Sequence, residues 1–128
     1  MKILIASSSD IAIPLIENIV INGHHEFCGL LSNIDKATGR GQSIRSNDLA
    51  EWAKNSGVKI YQSGSTNDIK EIVNEVLPDV VITIAFGQII KEDSLKIPKN
   101  GWLNVHFSKL PKWRGAAPVQ HAILNGES

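Results

Sequence analysis

The 128-residue sequence predicts a doubly wound α/β domain built on a mainly parallel sheet. Three observations carry this. Apolar runs of strand length recur along the chain, helical patterns fall between them, and the runs KILIA and DVVITIA stay apolar at successive positions instead of alternating. Strand, helix and strand in repetition give parallel neighbours, because each crossover brings the chain back to the same edge of the sheet. A strand without a polar face is one covered by helices on both sides.

The elements follow in order. The first strand is Lys2–Ala6, and the turn after it, Ser7 to Asp10, lacks the glycines that let a dinucleotide pyrophosphate press on a helix start. Asp10 is the candidate N-cap of a helix over Ile11–Ile21, with Pro14 tolerated in or near its first turn. A second strand covers Glu26–Ser32. The connection Asn33–Ser46 is too polar and glycine-punctuated to be an element, and its length marks a functional loop. The next helix places Leu49, Trp52 and Ala53 on one stripe and stops at Gly57. After a strand at Val58–Tyr61, a helix beginning near Thr66 aligns Ile69, Ile72, Val73 and Val76 and ends before Pro78. Strands Asp79–Ala85 and Gly101–Phe107 complete the series. No domain boundary, internal repeat or low-complexity tract interrupts it.

A chain of this length supports a single core. Formal net charge is zero and the sequence pI is about 6.9, so nucleic acid contact needs local basic clusters. Two clusters qualify: Lys36, Arg40 and Arg45 in the long connection, and Lys112 and Arg114 after the last strand. Each reads either as a phosphate site or as an ordinary solvated loop. Cys28, the sole cysteine, reads as a buried structural thiol and excludes a disulfide or thiolate zinc site within the chain. No metal site is expected. The apolar run at the N-terminus is too short for a signal sequence and no segment approaches a membrane span, so the expected location is cytoplasmic.

The chemistry concentrates in NVHFSKLPKWRG, Asn104 to Gly115. Along an extended strand, Trp102, Asn104 and His106 share one face, and two residues span roughly 7 Å, so the amide and imidazole can converge on one reacting atom. At the C-terminal end of a parallel strand they stand where open α/β sheets bind ligands. Without a nearby Ser or Cys nucleophile, the pair suits transfer of an acyl group to a nucleophile that the substrate supplies. The pattern alone also fits an Asn capping a loop beside a structural His.

The stretch NVHFSKLPKWRGAAPVQHAI resembles the active-site strand and following loop of methionyl-tRNA formyltransferases, in which Asn-x-His is followed by Ser-Leu-Leu-Pro and Trp-Arg-Gly-Ala-Ala-Pro. The opening ASSSDIAIPLIENI, the loop DKATGRGQSI and the segment ITIAFGQII extend the resemblance over the chain. It implies a Rossmann-like fold and transfer of a formyl group from 10-formyltetrahydrofolate to the α-amine of initiator methionyl-tRNA, the step that prepares translation initiation. Asn104 and His106 match catalytic positions. Phe86, Gly87, Gln88, Ile89 and Ile90, together with Ser108, Lys109, Leu110 and Pro111, match the folate site, with Lys109 standing where the family carries Leu. Lys36, Arg40, Arg45, Lys112 and Arg114 are implied to face tRNA.

The family's third catalytic residue is an Asp well downstream of the His, and a C-terminal β-barrel follows its catalytic domain. Neither falls within residues 1–128. The resemblance therefore implies an incomplete formyltransferase fold, a partial and inactive catalytic domain, and a sheet edge left open to self-association. Two other readings compete. A sugar-nucleotide formyltransferase shares the Asn-His core, but Ala116 to Gln120 and the Gly39-Arg40-Gly41 insertion argue against it. A non-catalytic folate-binding or tRNA-binding remnant would fit the absent Asp.

Overall fold

The computed structural model describes residues 1–38, 43–45 and 47–126. In it, β1 (Lys2–Ser7), β2 (Glu26–Asn33), β5 (Ile60–Ser63), β6 (Val80–Ile84) and β7 (Trp102–Val105) form one sheet in the order β5-β2-β1-β6-β7, with every neighbouring pair parallel. The doubly wound α/β fold is thus as the sequence predicts.

Period-two alternation divides the core into two layers. Ile3 and Ile5 of β1 face α1 (Ile13–Asn22) and α2 (Asp48–Asn55), joining Ile16, Ile19, Leu30, Leu49 and Ala53 in one buried cluster. Leu4 and Ala6 face the other way, toward α3 (Thr66–Val76), and join Leu31, Ile69, Val73, Val81 and Phe86. Each fully buried Leu or Ile side chain contributes on the order of 1.5–3 kcal/mol from removal of apolar surface from water.

The helix starts differ in detail from expectation. Asp10 is not the cap of α1: it opens a 3₁₀ turn, Asp10–Ala12, whose N-cap Ser9 accepts from the Ile11 amide. The α-helix begins at Ile13 because Pro14, which has no N–H to donate and a fixed φ, fits only the first turn. Asn47 caps α2 through a 2.8 Å bond from the Ala50 amide to Oδ1. Ser65 and Asp68 form a reciprocal capping box at α3. Asp68 also accepts from the Gly64 and Ser65 amides at 2.8 and 2.9 Å, and these bonds, the Gly64 amide foremost, hold its carboxyl below the usual range.

Several boundaries move for tertiary reasons. The strand expected at Val58–Tyr61 lies at Ile60–Ser63, because its partners in the ladder are Leu30 to Asn33 of β2. Val58 instead packs against the core from outside the sheet. In β2 the register slips by one residue at Cys28. Gly29, at φ 139°, follows that bulge, and a Cβ there would lie 2.9 Å from both the Lys59 carbonyl oxygen and the Tyr61 ring. Cys28 is consequently half-buried rather than enclosed, and partial burial, reinforced by Glu26, raises its thiol pKa and keeps it a poor nucleophile.

The connection Asn33–Ser46 holds elements that its polarity concealed, an antiparallel pair of β3 (Lys36–Thr38) and β4 (Ser43–Arg45). Main-chain groups make such a ladder, and polar residues carry those as well as apolar ones do. Two further short helices, α4 (Glu92–Leu95) and α5 (Pro118–Leu124), were not anticipated. Among the described residues, no helix is long and apolar enough to cross a membrane.

Candidate functional site

The parallel arrangement brings the C-terminal ends of β6 and β7 together, and a cleft of about 420 Å³ opens beyond them. Asn104, Val105, His106 and Phe107 line one side, Ala85, Phe86 and Gly87 another, and Gly115 to Pro118 close the third. Asn104 and His106 therefore share a cavity, although β7 ends at Val105 and His106 stands just beyond the strand. The expected strand to Phe107 is two residues too long.

Asn104 lies opposite Thr83 in the β6–β7 ladder. The Thr83 hydroxyl donates to Asn104 Oδ1 at 2.8 Å. With Oδ1 engaged as acceptor, the Nδ2 group is the part of the amide left to donate, which is the orientation a developing oxyanion requires.

His106 is held at both ring nitrogens. Nδ1 lies 2.9 Å from Ser108 Oγ and Nε2 lies 3.1 Å from the Gly115 carbonyl oxygen. Ser108 Oγ directs its single proton to the Lys112 carbonyl oxygen at 2.6 Å. The Gly115 carbonyl oxygen can only accept, so Nε2 is the donor wherever that contact is made, and the Nδ1 contact with Ser108 depends on the tautomer.

The segment Phe86 to Ile90, matched in sequence to the folate site, is divided between two clefts and the core. Ala85 and Gly87 adopt left-handed backbone at φ 46° and 75°, and the chain turns sharply between β6 and the residues that follow. Phe86 is buried in the α3-side core while still bordering the cleft of Asn104. Gln88 and Ile89 line a separate cleft of about 400 Å³ with Asn33, Ser63 and Ser65, and Gly87 borders both. Ile90 packs against the core.

The loop after His106 is largely exposed. Ser108 is directed inward as described, whereas Lys109, Leu110 and Pro111 face solvent on a turn closed by the Lys112 amide donating to the Lys109 carbonyl at 3.1 Å. Trp113 stacks on His121, with ring centroids 5.7 Å apart and planes 8° from parallel, which ties this loop to α5. Lys112 and Arg114 are exposed on the same loop. Lys36 and Arg45 are paired in the β3–β4 ladder, so the two basic positions lie side by side across the hairpin. Arg40 lies outside the described residues. Among those residues, no group of three His, Cys, Asp or Glu side chains converges as a metal site would need.

Sequence reasoning missed Thr83, Gly115 and the 116–118 segment. Thr83 was within reach of it, as a polar residue in the apolar strand DVVITIA facing a neighbour across a parallel ladder. Gly115 contributes only a carbonyl, which carries no sequence signal.

A family model described as formyl transferase matches residues 1–128. The methionyl-tRNA formyltransferase of Clostridioides difficile (strain 630) is 40% identical over 130 residues, covering 99% of this chain and 41% of the relative. That of Streptomyces coelicolor is 34% identical over 129 residues, covering 99% of this chain and 42% of its own length. The chain thus spans about 42% of the curated relatives it matches. Among solved structures, the phosphoribosylglycinamide formyltransferase of Bacillus halodurans superposes with TM-score 0.73 at 16% identity, covering 97% of this chain and 64% of that one. A formyltetrahydrofolate deformylase from Pseudomonas syringae pv. tomato gives TM-score 0.72 at 18% identity, covering 98% of this chain and 41% of that one. At these identities the structural likeness speaks for the fold.

Proposed function

Because this chain belongs to the formyl transferase family, we propose that it carries part of the catalytic domain of an enzyme that moves a formyl group from 10-formyltetrahydrofolate to the α-amine of methionyl-initiator-tRNA. The observation that carries the reading is the shared cleft of Asn104 and His106, with Thr83 holding the Asn amide as a donor. Similarity to curated methionyl-tRNA formyltransferases over nearly the whole chain supports this acceptor over a sugar amine.

The donor supplies an activated one-carbon carbonyl. As the acceptor amine adds to that carbonyl carbon, negative charge grows on its oxygen, and Asn104 Nδ2 donates to it; collapse of the tetrahedral intermediate then breaks the bond to the donor nitrogen, which leaves with a proton in place of the one the amine loses. His106, on the same side of the cleft as Asn104, takes part in moving the amine proton, a ring nitrogen exchanging its contact with Ser108 Oγ or the Gly115 carbonyl oxygen for the substrate. The cleft suits a flat, partly apolar donor. Its walls combine Phe86, Val105 and Phe107 with main-chain groups at Gly87 and Gly115, and the left-handed glycine lets a ligand approach the backbone closely. Gln88, Ile89 and Ile90 act on this wall from behind or from the neighbouring cleft, and Lys109, Leu110 and Pro111 form the rim.

The basic residues Lys36, Arg40 and Arg45 of the sequence stretch 33–46, with Lys112 and Arg114 on the loop beside the cleft, would take phosphates of the tRNA acceptor end, since a domain of zero net charge needs such local clusters. A cytoplasmic setting accompanies this role. In this structure β7 is an edge strand with Leu103 and Val105 exposed and Phe107 exposed just beyond it, which supports self-association.

The test uses the full-length protein with formyl donor and methionyl-tRNA. Asn104→Ala should lower kcat by about a hundredfold to a thousandfold, as loss of one oxyanion donor does, with donor affinity changed far less. Turnover that survives while donor binding collapses would assign Asn104 to binding and overturn the mechanism. Formylation of a sugar amine with no transfer to methionyl-tRNA would overturn the acceptor.

A further inference from the structure

The turn Ala85–Gln88 is bent by two left-handed residues, and one of them is an alanine, which resists that conformation unless its surroundings impose it. The surroundings are a set of side chains lying on the far side of the turn from the reaction cleft. Gln88 Nε2 shares its two protons among the Ser63 carbonyl oxygen at 2.9 Å, Ser63 Oγ at 3.0 Å and Asn33 Oδ1. Asn33 Nδ2 donates onward to Ser8 Oγ at 2.6 Å and to the Phe86 carbonyl oxygen at 3.3 Å. Ser8 completes the ring: its hydroxyl donates to the same Phe86 carbonyl at 3.0 Å and its amide to the Ala85 carbonyl at 3.3 Å.

The ends of β1, β2 and β5 are all fastened to one turn by these bonds. Ser63 is fully buried, so its contacts with Gln88 are shielded from competing water. Both carbonyls that the ring fixes, those of Ala85 and Phe86, belong to residues lining the cleft of Asn104 and His106, and neither Asn33 nor Gln88 lines that cleft. Their polar side chains are therefore placed to set the shape of the cleft wall without touching what binds there.

We propose that Asn33 and Gln88 are positioning residues of the reaction cleft, a side-chain amide pair that holds the left-handed 85–88 turn in the conformation needed for transfer. This rests on the formyl-transfer reading above. A wall held by several mutually dependent hydrogen bonds is sensitive to loss of any one, since the remaining donors and acceptors then lack partners and the turn relaxes away from its strained form.

The experiment compares full-length parent protein with Gln88→Leu, Asn33→Asp and the double variant. Asn33→Asp keeps the acceptor for Gln88 while removing the donor to Ser8 and Phe86, and it is the milder change should Gln88→Leu fold poorly. Each single variant should lower kcat by about tenfold to a hundredfold with KM for the formyl donor within about threefold, because misplacement rather than lost contact is the defect. The double variant should be no worse than the more affected single one. Exchange of the Ser8 amide, which donates to the Ala85 carbonyl of the turn, should quicken while β1 stays protected. A kcat within twofold of the parent in both singles, or multiplying losses in the double, overturns the proposal. So does unchanged exchange of the Ser8 amide. If the parent transfers no formyl group, the functional reading fails on that arm, and the exchange measurement still decides whether the amide pair holds the turn.

Discussion

Thr83→Val isolates the contribution of one hydroxyl to the site. Thr83 is half-buried in β6, and valine replaces its hydroxyl with a methyl of nearly the same volume while keeping the β-branched shape the strand favours. What disappears is the 2.8 Å bond to Asn104 Oδ1, together with a longer 3.3 Å contact from the same hydroxyl to the Leu103 carbonyl oxygen. A net intramolecular hydrogen bond contributes about 0.5–1.5 kcal/mol, which here is the preference of the amide for the orientation with Nδ2 free to donate. With about 1.4 kcal/mol per factor of ten, losing that preference should lower kcat by roughly 2- to 12-fold. Steady-state formyl transfer by the full-length protein measures it, with donor KM recorded alongside. The decisive control is the background: in an Asn104→Ala protein the Thr83 change should have no further effect, because there is no amide left to orient. Equal turnover by parent and Thr83→Val, or a loss that multiplies with Asn104→Ala, would refute the reasoning.

Two further outcomes follow from the same geometry. Ser108→Ala removes the group that bridges His106 Nδ1 and the Lys112 carbonyl, and should slow transfer by about tenfold while leaving thermal stability near that of the parent; a loss confined to donor KM would place Ser108 in binding instead. The Asp68 carboxyl has a folded pKa below its unfolded value, so its stabilisation is fully present above the ordinary carboxylate range and is lost as pH falls through the folded value. Melting temperature should accordingly drop on acidification, and an Asp68→Asn protein, which can still cap through its amide oxygen, should show a shallower drop; identical acid profiles would remove Asp68 from the account.

What the sequence alone determined is what local periodicity reports. The run KILIA sends Ile3 and Ile5 to one face and Leu4 and Ala6 to the other, and those are the two core layers observed. The stripes of Ile69 and Val73, and of Leu49 and Ala53, likewise mark the buried faces of their helices, because a helix or strand presents a face that depends only on residue spacing. Asn104 and His106 were legible as two polar side chains two residues apart at the end of an apolar run, although the strand itself stops at Val105.

Tertiary structure decided which residues meet across the chain. That β6 lies beside β7 puts Thr83 against Asn104, and that β1, β2 and β5 end on one edge lets Ser8, Asn33 and Ser63 gather around Gln88, a contact that reaches 55 residues along the chain between Asn33 and Gln88. The shift of β5 to Ile60–Ser63 is set by the ladder offered by β2 and not by the apolar residues of β5 itself. The left-handed turn at Ala85 and Gly87 divides a segment that looks continuous in sequence between two clefts. Periodicity is silent on such matters because it records how strongly each position avoids water. The partner that satisfies a particular donor or acceptor is chosen only when the sheet order fixes which strand ends lie side by side.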